Sequence, residues 1–232
     1  MVICIIIIAL GMGLLTWFII EKVKKYCVKE AIIKISTSAV FLLLAAYCWI
    51  SKGNNSLAFY VLMGLFFGAL GDLFLEFKYV FKEEEKIFTY AGFIVFAIGH
   101  VFYITGMFRQ FYNGQNPLYI IIPLVIGLIV GAAPILLEKV MKLNYGSMKL
   151  ITYIYGVCLF SMTMCGGSLC LMTNFHPTAI MLFVGGILFS ISDLILSGTY
   201  FGVGKDKPFD IISNSVTYYL AQYTIAFSLY FL

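Results

Sequence analysis

Charge is what this chain has least of. Only 11% of its 232 residues are Asp, Glu, Lys or Arg, against 62% that are hydrophobic. A soluble domain carries about 25% charged and about 45–50% apolar residues. So little polar surface cannot cover a water-soluble globule, and the mean hydropathy of +1.00 points the same way. A soluble secreted protein, a disordered chain and a disulfide scaffold are excluded, and an integral membrane protein is implied. Histidine is scarce as well. His100 and His176 are the only two, which speaks against a His-rich metal centre. There is no GxSxG turn, no Ser–His–Asp order and no phosphate-binding glycine loop. The six cysteines are Cys4, Cys27, Cys48, Cys158, Cys165 and Cys170, with no CxxC pair among them. They read as small buried hydrophobes. No basic segment precedes the first apolar run. Lys22, Lys24 and Lys25 follow it, the reverse of a cleavable signal peptide, so the run reads as a retained first span.

A helix crossing a ~30 Å hydrocarbon core takes roughly 20 residues. Apolar runs bounded by charge or turn residues predict eight spans, at about 2–20, 31–50, 57–77, 88–108, 117–137, 148–172, 177–199 and 212–232. They use most of the chain, so residues 1–232 read as a single membrane domain. None alternates with period two as a barrel strand would, so the expected fold is an all-α polytopic bundle.

The basic residues alternate by loop. Twelve of the fifteen fall after the first, third, fifth and seventh spans; Lys52 and Arg109 fall in the other loops, and Lys34 lies inside the second span. Under the positive-inside rule this places the odd loops in the cytoplasm and both termini outside. The expected location is a bacterial plasma membrane, or the endoplasmic reticulum in a eukaryote. The net charge of +4 follows from this bias, and nucleic-acid binding is not read from it. The sequence sets no oligomeric state.

Two spans resemble each other. Gly64-Leu-Phe-Phe-Gly-Ala-Leu-Gly-Asp72-Leu-Phe-Leu75 and Gly185-Gly-Ile-Leu-Phe-Ser-Ile-Ser-Asp193-Leu-Ile-Leu196 lie 121 residues apart, about half the chain. Gly64/Gly185, Asp72/Asp193, Leu73/Leu194 and Leu75/Leu196 are identical pairs. A tandem 4+4 duplication is expected, with halves 1–110 and 117–232. Four spans return the chain to its starting side, so the halves would run parallel about an axis along the membrane normal.

Within the spans, the ionisable residues draw attention because each costs several kcal/mol unless paired or facing a cavity. Asp72 and Asp193 fall at matched depth on spans of the same direction, so they can approach each other. A purely structural helix–helix contact, with Lys34 as partner, is the competing reading. Lys34 is placed to pair with an Asp, to hold a phosphate or to snorkel to the headgroups. Glu76 stands four residues after Asp72 on the same face. His100, with Tyr103 one turn on, and Tyr218, Tyr219 and Gln222 in the last span are either polar contacts between helices or site residues. Gly166–Gly167 and Ser168 are expected to allow close helix packing. The residues describe a polar site of two acids that opens toward a lysine-rich, cytoplasmic face, which favours an anionic headgroup.

At these residues the chain resembles the YhhN family, which includes lysoplasmalogenases. The matching pieces are GALGDLFLEF around Asp72, GFIVFAIGHVFY from Gly92 to Tyr103, GGILFSISDLILSGTYF around Asp193 and TYYLAQYTIAFSL in the last span, together with Lys34. One departure stands out: the family usually has Lys-Pro near the start of its second span, and here Lys34 is followed by Ile35.

The resemblance implies eight spans and hydrolysis of the vinyl ether bond of a lysoplasmalogen, giving a fatty aldehyde and glycerophospho-ethanolamine or -choline. It carries the two catalytic aspartates over to Asp72 and Asp193. The expected partners are a lysophospholipid substrate and membrane lipid, with no cofactor and no metal. Vinyl ethers hydrolyse by protonation at carbon, so one protonated acid and one anion are needed, as at glycosidic bonds. Lys34, Glu76, His100, Tyr103, Tyr218, Tyr219 and Gln222 are the candidate substrate-binding residues. A proton-coupled carrier of lipids or small molecules using the same aspartates is the alternative, and a non-catalytic lipid-binding scaffold a third.

Overall fold

The computed structural model describes residues 1–24, 28–53, 55–202 and 207–232; Lys25 and Cys27, named above, and Lys205, one of the twelve loop lysines, lie outside them. The described residues are helical almost throughout. They form α1 (Val2–Lys24), α2 (Val28–Lys52), α3 (Ser56–Val80), α4 (Glu85–Phe111), α5 (Leu118–Gly131), the short α6 (Ala133–Leu136), α7 (Lys149–Met172), α8 (Pro177–Phe201) and α9 (Pro208–Ser228). The nearest approach to a sheet among them is one isolated bridge, Leu143 to Gly202. Five of the predicted runs fall within these helices, which extend a few residues further at most ends; the fifth run exceeds α5 and α6 by one residue at each end, the sixth starts one residue before α7, and the eighth continues past α9 to residue 232. Between α5 and α6 the helix breaks just before Pro134, whose ring removes a backbone donor.

Among the described residues, seven helices are long and apolar enough to cross a membrane, with α5 and α6 counted as one. The predicted eighth span, α9, is not among them. Its Asp210, Ser213, Asn214, Thr217 and Gln222 lower its apolarity. The packing gives the reason: α9 lies against α8, α1, α2 and α3. A helix enclosed by others spends its polar groups on them.

The lipid-facing character of the outer helices is plain in α1, where Ile3, Ile5, Ile6, Leu10 and Trp17 are exposed, and in α5, where Ile121, Ile122, Val125 and Ile129 are. Close helix packing uses glycine where the sequence suggested it. A Cβ on Gly166 would lie 2.9 Å from the Phe183 backbone, and Ser168 Oγ donates to the Tyr119 carbonyl at 2.6 Å. Cys4 and Cys48, 44 residues apart, meet as buried thiols with sulfurs 3.9 Å apart.

The ends of α1, α3 and α8 and the starts of α2, α4, α7 and α9 gather at one end of the bundle, the lysine-rich end. Tyr90 Oη donates to the Ser147 carbonyl at 2.5 Å, and Asn144 N–H donates to Phe201 at 2.8 Å. Two of the lysines read above as marking this face are not surface residues. The Lys78 side chain is buried with its ammonium 3.1 Å from the centre of the Tyr200 ring, and Lys22 turns inward to the site described next.

Candidate active site

Asp72 and Asp193 each lie eight residues before the last residue of their helices, α3 and α8. Asp72 is buried and surrounded by donors. Ser38 Oγ donates to Oδ2 at 2.6 Å and Tyr218 Oη donates to the same oxygen at 2.8 Å. Lys34 Nζ stands 3.4 Å from Oδ1. The local geometry follows from helical spacing. Lys34 and Ser38 are one turn apart on α2, Asp72 and Glu76 one turn apart on α3, so the two helices face each other as short ladders. Lys34 donates to Glu76 Oε1 at 2.8 Å, and Lys22 of α1 donates to the same oxygen at 2.9 Å. Lys22 also lies 3.4 Å from Glu30. This chain of opposite charges lets four ionisable groups of α2 and α3 sit inside the bundle at a tolerable cost.

Asp193 is held differently. Tyr155 of α7 donates its hydroxyl to Oδ2. No Lys, Arg or His among the described residues forms an ion pair with it.

Both aspartates line one cavity of about 1130 Å³, open mouth included. Its walls come from the lysine-rich halves of α1, α2, α3, α4, α7, α8 and α9, and from Pro134 in α6. The polar lining includes Lys22, Lys34, Ser190, Tyr218 and Tyr219; the apolar lining includes Leu75, Phe93, Leu159 and Leu196. Phe96 stands between the two acids' tyrosines, its ring centre 6.3 Å from that of Tyr155 and 6.2 Å from that of Tyr218, edge to face with both. Such a pocket, mostly apolar with a few converging polar groups, suits a small amphipathic ligand.

The candidate residues thus divide. Asp72, Asp193, Lys34, Tyr218 and Tyr219 reach the cavity. Tyr219 Oη lies 3.1 Å from Ser38 Oγ and donates to the Lys34 carbonyl at 3.2 Å. Glu76 lies behind Lys34 as its counter-ion. Gln222 stands behind Tyr218, donating to its hydroxyl at 2.8 Å, and Tyr103 donates to Gln222 Oε1 at 3.4 Å. His100 is fully buried beside the Phe189, Tyr155 and Tyr103 rings, and neither ring nitrogen has a hydrogen-bond partner among the described residues.

Three site residues escaped the sequence reading: Lys22, Ser38 and Tyr155. Ser38 had a signal, being one turn after Lys34. Tyr155 had a subtler one, since it follows Lys34 by the same 121 residues that separate the two aspartates. Lys22 was hidden among the topological lysines.

A family model described as the YhhN family matches residues 30–229. No curated protein matches the chain and no solved structure does.

Proposed function

The chain belongs to the YhhN family, and on that premise we propose that it is a membrane-embedded hydrolase that cleaves the vinyl ether bond of lysoplasmalogens. The observation that carries this reading is that two aspartates from separate helices line one cavity. Enol ethers need a proton delivered to carbon and an anion to stabilise the oxocarbenium ion and take a proton from water. Two carboxyl groups in unlike surroundings supply that division of labour. The fatty chain runs along the aromatic and aliphatic wall, and the glycerol end reaches Tyr218 and Tyr219. Lys34 acts as counter-ion to the acids, not as a phosphate holder, because Glu76 already occupies its ammonium.

The lining comes from one half of the bundle's height. That supports a hydrolase with a single portal over a carrier, which needs access from both sides. By the positive-inside rule the portal faces the cytoplasm and both termini face away from it.

We also read the fold as eight spans in two parallel halves, and the contacts support this. Lys34–Asp72 and Tyr155–Asp193 are each 38 residues apart and related by 121. For α4 and α9 the relation is 122, which pairs Phe96 with Tyr218 and His100 with Gln222. Gly68 lies against Gln222 and Tyr218, and its counterpart Phe189 lies against His100 and Phe96. The counterparts thus make equivalent contacts.

The test is product analysis. Purified protein in lipid nanodiscs is given vinyl-ether and ester lysophospholipids, and products are identified by mass spectrometry. Free fatty aldehyde from the vinyl-ether lipid is expected, and none from folded Asp72→Asn or Asp193→Asn protein. Fatty acid from the ester lipid would make it a lysophospholipase, and transfer across liposomes with no chemical change would make it a carrier.

A further inference from the structure

We propose that Asp193 carries the catalytic proton and Asp72 is the resident anion, and that the division is set by three positions at which the two halves differ. The roles rest on the hydrolase reading above; the placement of the proton does not.

Asp72 receives Lys34, Ser38 and Tyr218. The residues related to these by the two-halves register are Tyr155, Leu159 and Phe96, and all three line the cavity. Around Asp193 a cation has thus become a phenol, a hydroxyl has become an isobutyl group and a second hydroxyl has become a bare ring. A carboxylate among three donors, one of them an ammonium, is solvated by the protein. Asp193 is half-buried and accepts from one neutral donor with no ammonium bonded to it, so its carboxylate is less well solvated by the protein, and the partial desolvation favours the neutral acid.

The charge count leads to the same place. The charged and titratable groups that share the cavity with Asp193 from other helices are Lys22, Lys34, Asp72, Tyr79, Tyr155 and the tyrosine pair Tyr218–Tyr219. On its own helix, Tyr200 is the one titratable neighbour in the lining. The two ammoniums are already bonded to Glu30, Glu76 and Asp72. Three carboxylates thus already outnumber the two ammoniums, and Asp193 is a fourth with no cation bonded to it; two acids of unlike environment in one cavity share one proton unequally.

The chemistry closes on this assignment. The Asp193 proton moves to the β-carbon as the double-bond electrons form the new C–H bond, and the ether oxygen lone pair makes the oxocarbenium ion. Water attacks the oxygen-bearing α-carbon of that ion and gives its proton to Asp72. The hemiacetal then collapses: Asp72 returns its proton to the glycerol oxygen as the C–O bond breaks, and Asp193 takes the hemiacetal hydroxyl proton as the aldehyde forms. Both acids end as they began. Tyr155 is a positioning residue in this scheme, aiming the acid by its bond to Oδ2.

Infrared spectroscopy of the full chain in nanodiscs, with 13C-labelled aspartate and no substrate, tests the assignment. The label separates aspartates from Glu30 and Glu76, which are buried in the same cluster. At neutral pH one labelled protonated-carboxyl stretch is expected. It is lost in Asp193→Asn and moves to higher frequency in Tyr155→Phe, where its hydrogen bond is gone; Tyr155→Lys, which supplies the missing cation, removes it. A band that survives Asp193→Asn or ignores Tyr155→Phe places the proton on Asp72 and overturns the proposal, as does the absence of any such band. Tyr155→Phe removes a single hydroxyl and keeps the test open if the aspartate variant fails to fold. Since no substrate is present, failure of the lysoplasmalogen assay leaves the proton's placement standing, and a misplaced proton leaves the hydrolase reading standing.

Discussion

Lys34 donates to Glu76 at 2.8 Å inside the bundle, with only 11% and 3% of the two side chains exposed. A residue of either type alone at this depth is an uncompensated charge. Breaking such a buried pair by removing one partner costs about 3–5 kcal/mol. Lys34→Met is therefore expected to lower stability by that order, and Glu76→Gln by a similar amount. The double variant should lose less than the sum, since each single change leaves the other charge stranded. Thermal unfolding in detergent measures all three. Additive losses would mean that the two residues do not act as a pair.

Tyr218 joins the site to the core behind it. Its hydroxyl donates to Asp72 and accepts from Gln222 Nε2, both at 2.8 Å. Tyr218→Phe removes both bonds and leaves a buried amide donor unpaired, a loss of about 1–3 kcal/mol. Aldehyde release should fall in the same variant, because Asp72 loses one of three donors and turns. Gln222→Leu, which keeps the Tyr218–Asp72 bond, should keep most of the activity while losing stability. Equal activity losses in the two variants would argue that Tyr218 acts only through packing.

Much of this site can be read from residue types, and the limits of that reading are physical. Asp72 and Asp193 stood out because a charge in an apolar run has no other explanation. The helices stood out because lipid leaves the backbone no alternative. The partner of Lys34 was open between an acid, a phosphate and the headgroups, since helical spacing fixes a face and not a neighbour. Only the meeting of α2 with α3 selects Glu76. Lys22 and Lys78 look like topological lysines in sequence, yet both turn inward, because snorkelling and burial share the same residue near a helix end. The last helix is polar by composition because it is enclosed, and enclosure is a property of the whole bundle.

Gly68 faces the amide of Gln222, and a Cβ added there would fall 2.8 Å from Nε2. That approach is too close for a real side chain, and the amide is held by Tyr218 and Tyr103. Gly68→Ala is expected to displace Gln222 and destabilise by about 1–3 kcal/mol, the usual cost of overpacking. Gly13→Ala meets nothing within 4 Å on α1 and should leave unfolding unchanged or raise it slightly, since alanine favours the helix. Unfolding temperatures of the two variants against the parent check this. A neutral Gly68→Ala would mean that α9 shifts freely against α3.

The turn after α6 is the place where stability should follow pH. Glu138 lies outside the spans and accepts from Lys149 Nζ at 2.6 Å and from the Tyr145 backbone N–H at 3.0 Å. The lysine first, and then that N–H, hold its carboxyl below the ordinary value. A carboxyl held low stabilises the fold only while ionised. Its contribution is complete above the unfolded-chain value and is lost as pH falls through the lower folded one. The turn matters for the mouth, since Asn144 N–H bonds the Phe201 carbonyl at 2.8 Å and the Tyr145 ring rests 4.6 Å from that of Phe201. Hydrogen exchange, corrected for the intrinsic rate, should show the Tyr145 amide less protected in acid than at neutral pH. Glu138→Gln keeps an acceptor oxygen but loses the charge, so its protection should be lower at neutral pH and flat across the range. Salt should weaken the effect in the parent, because the pair is exposed enough to be screened. A protected amide that ignores pH in the parent chain would show that the ion pair does not hold the turn.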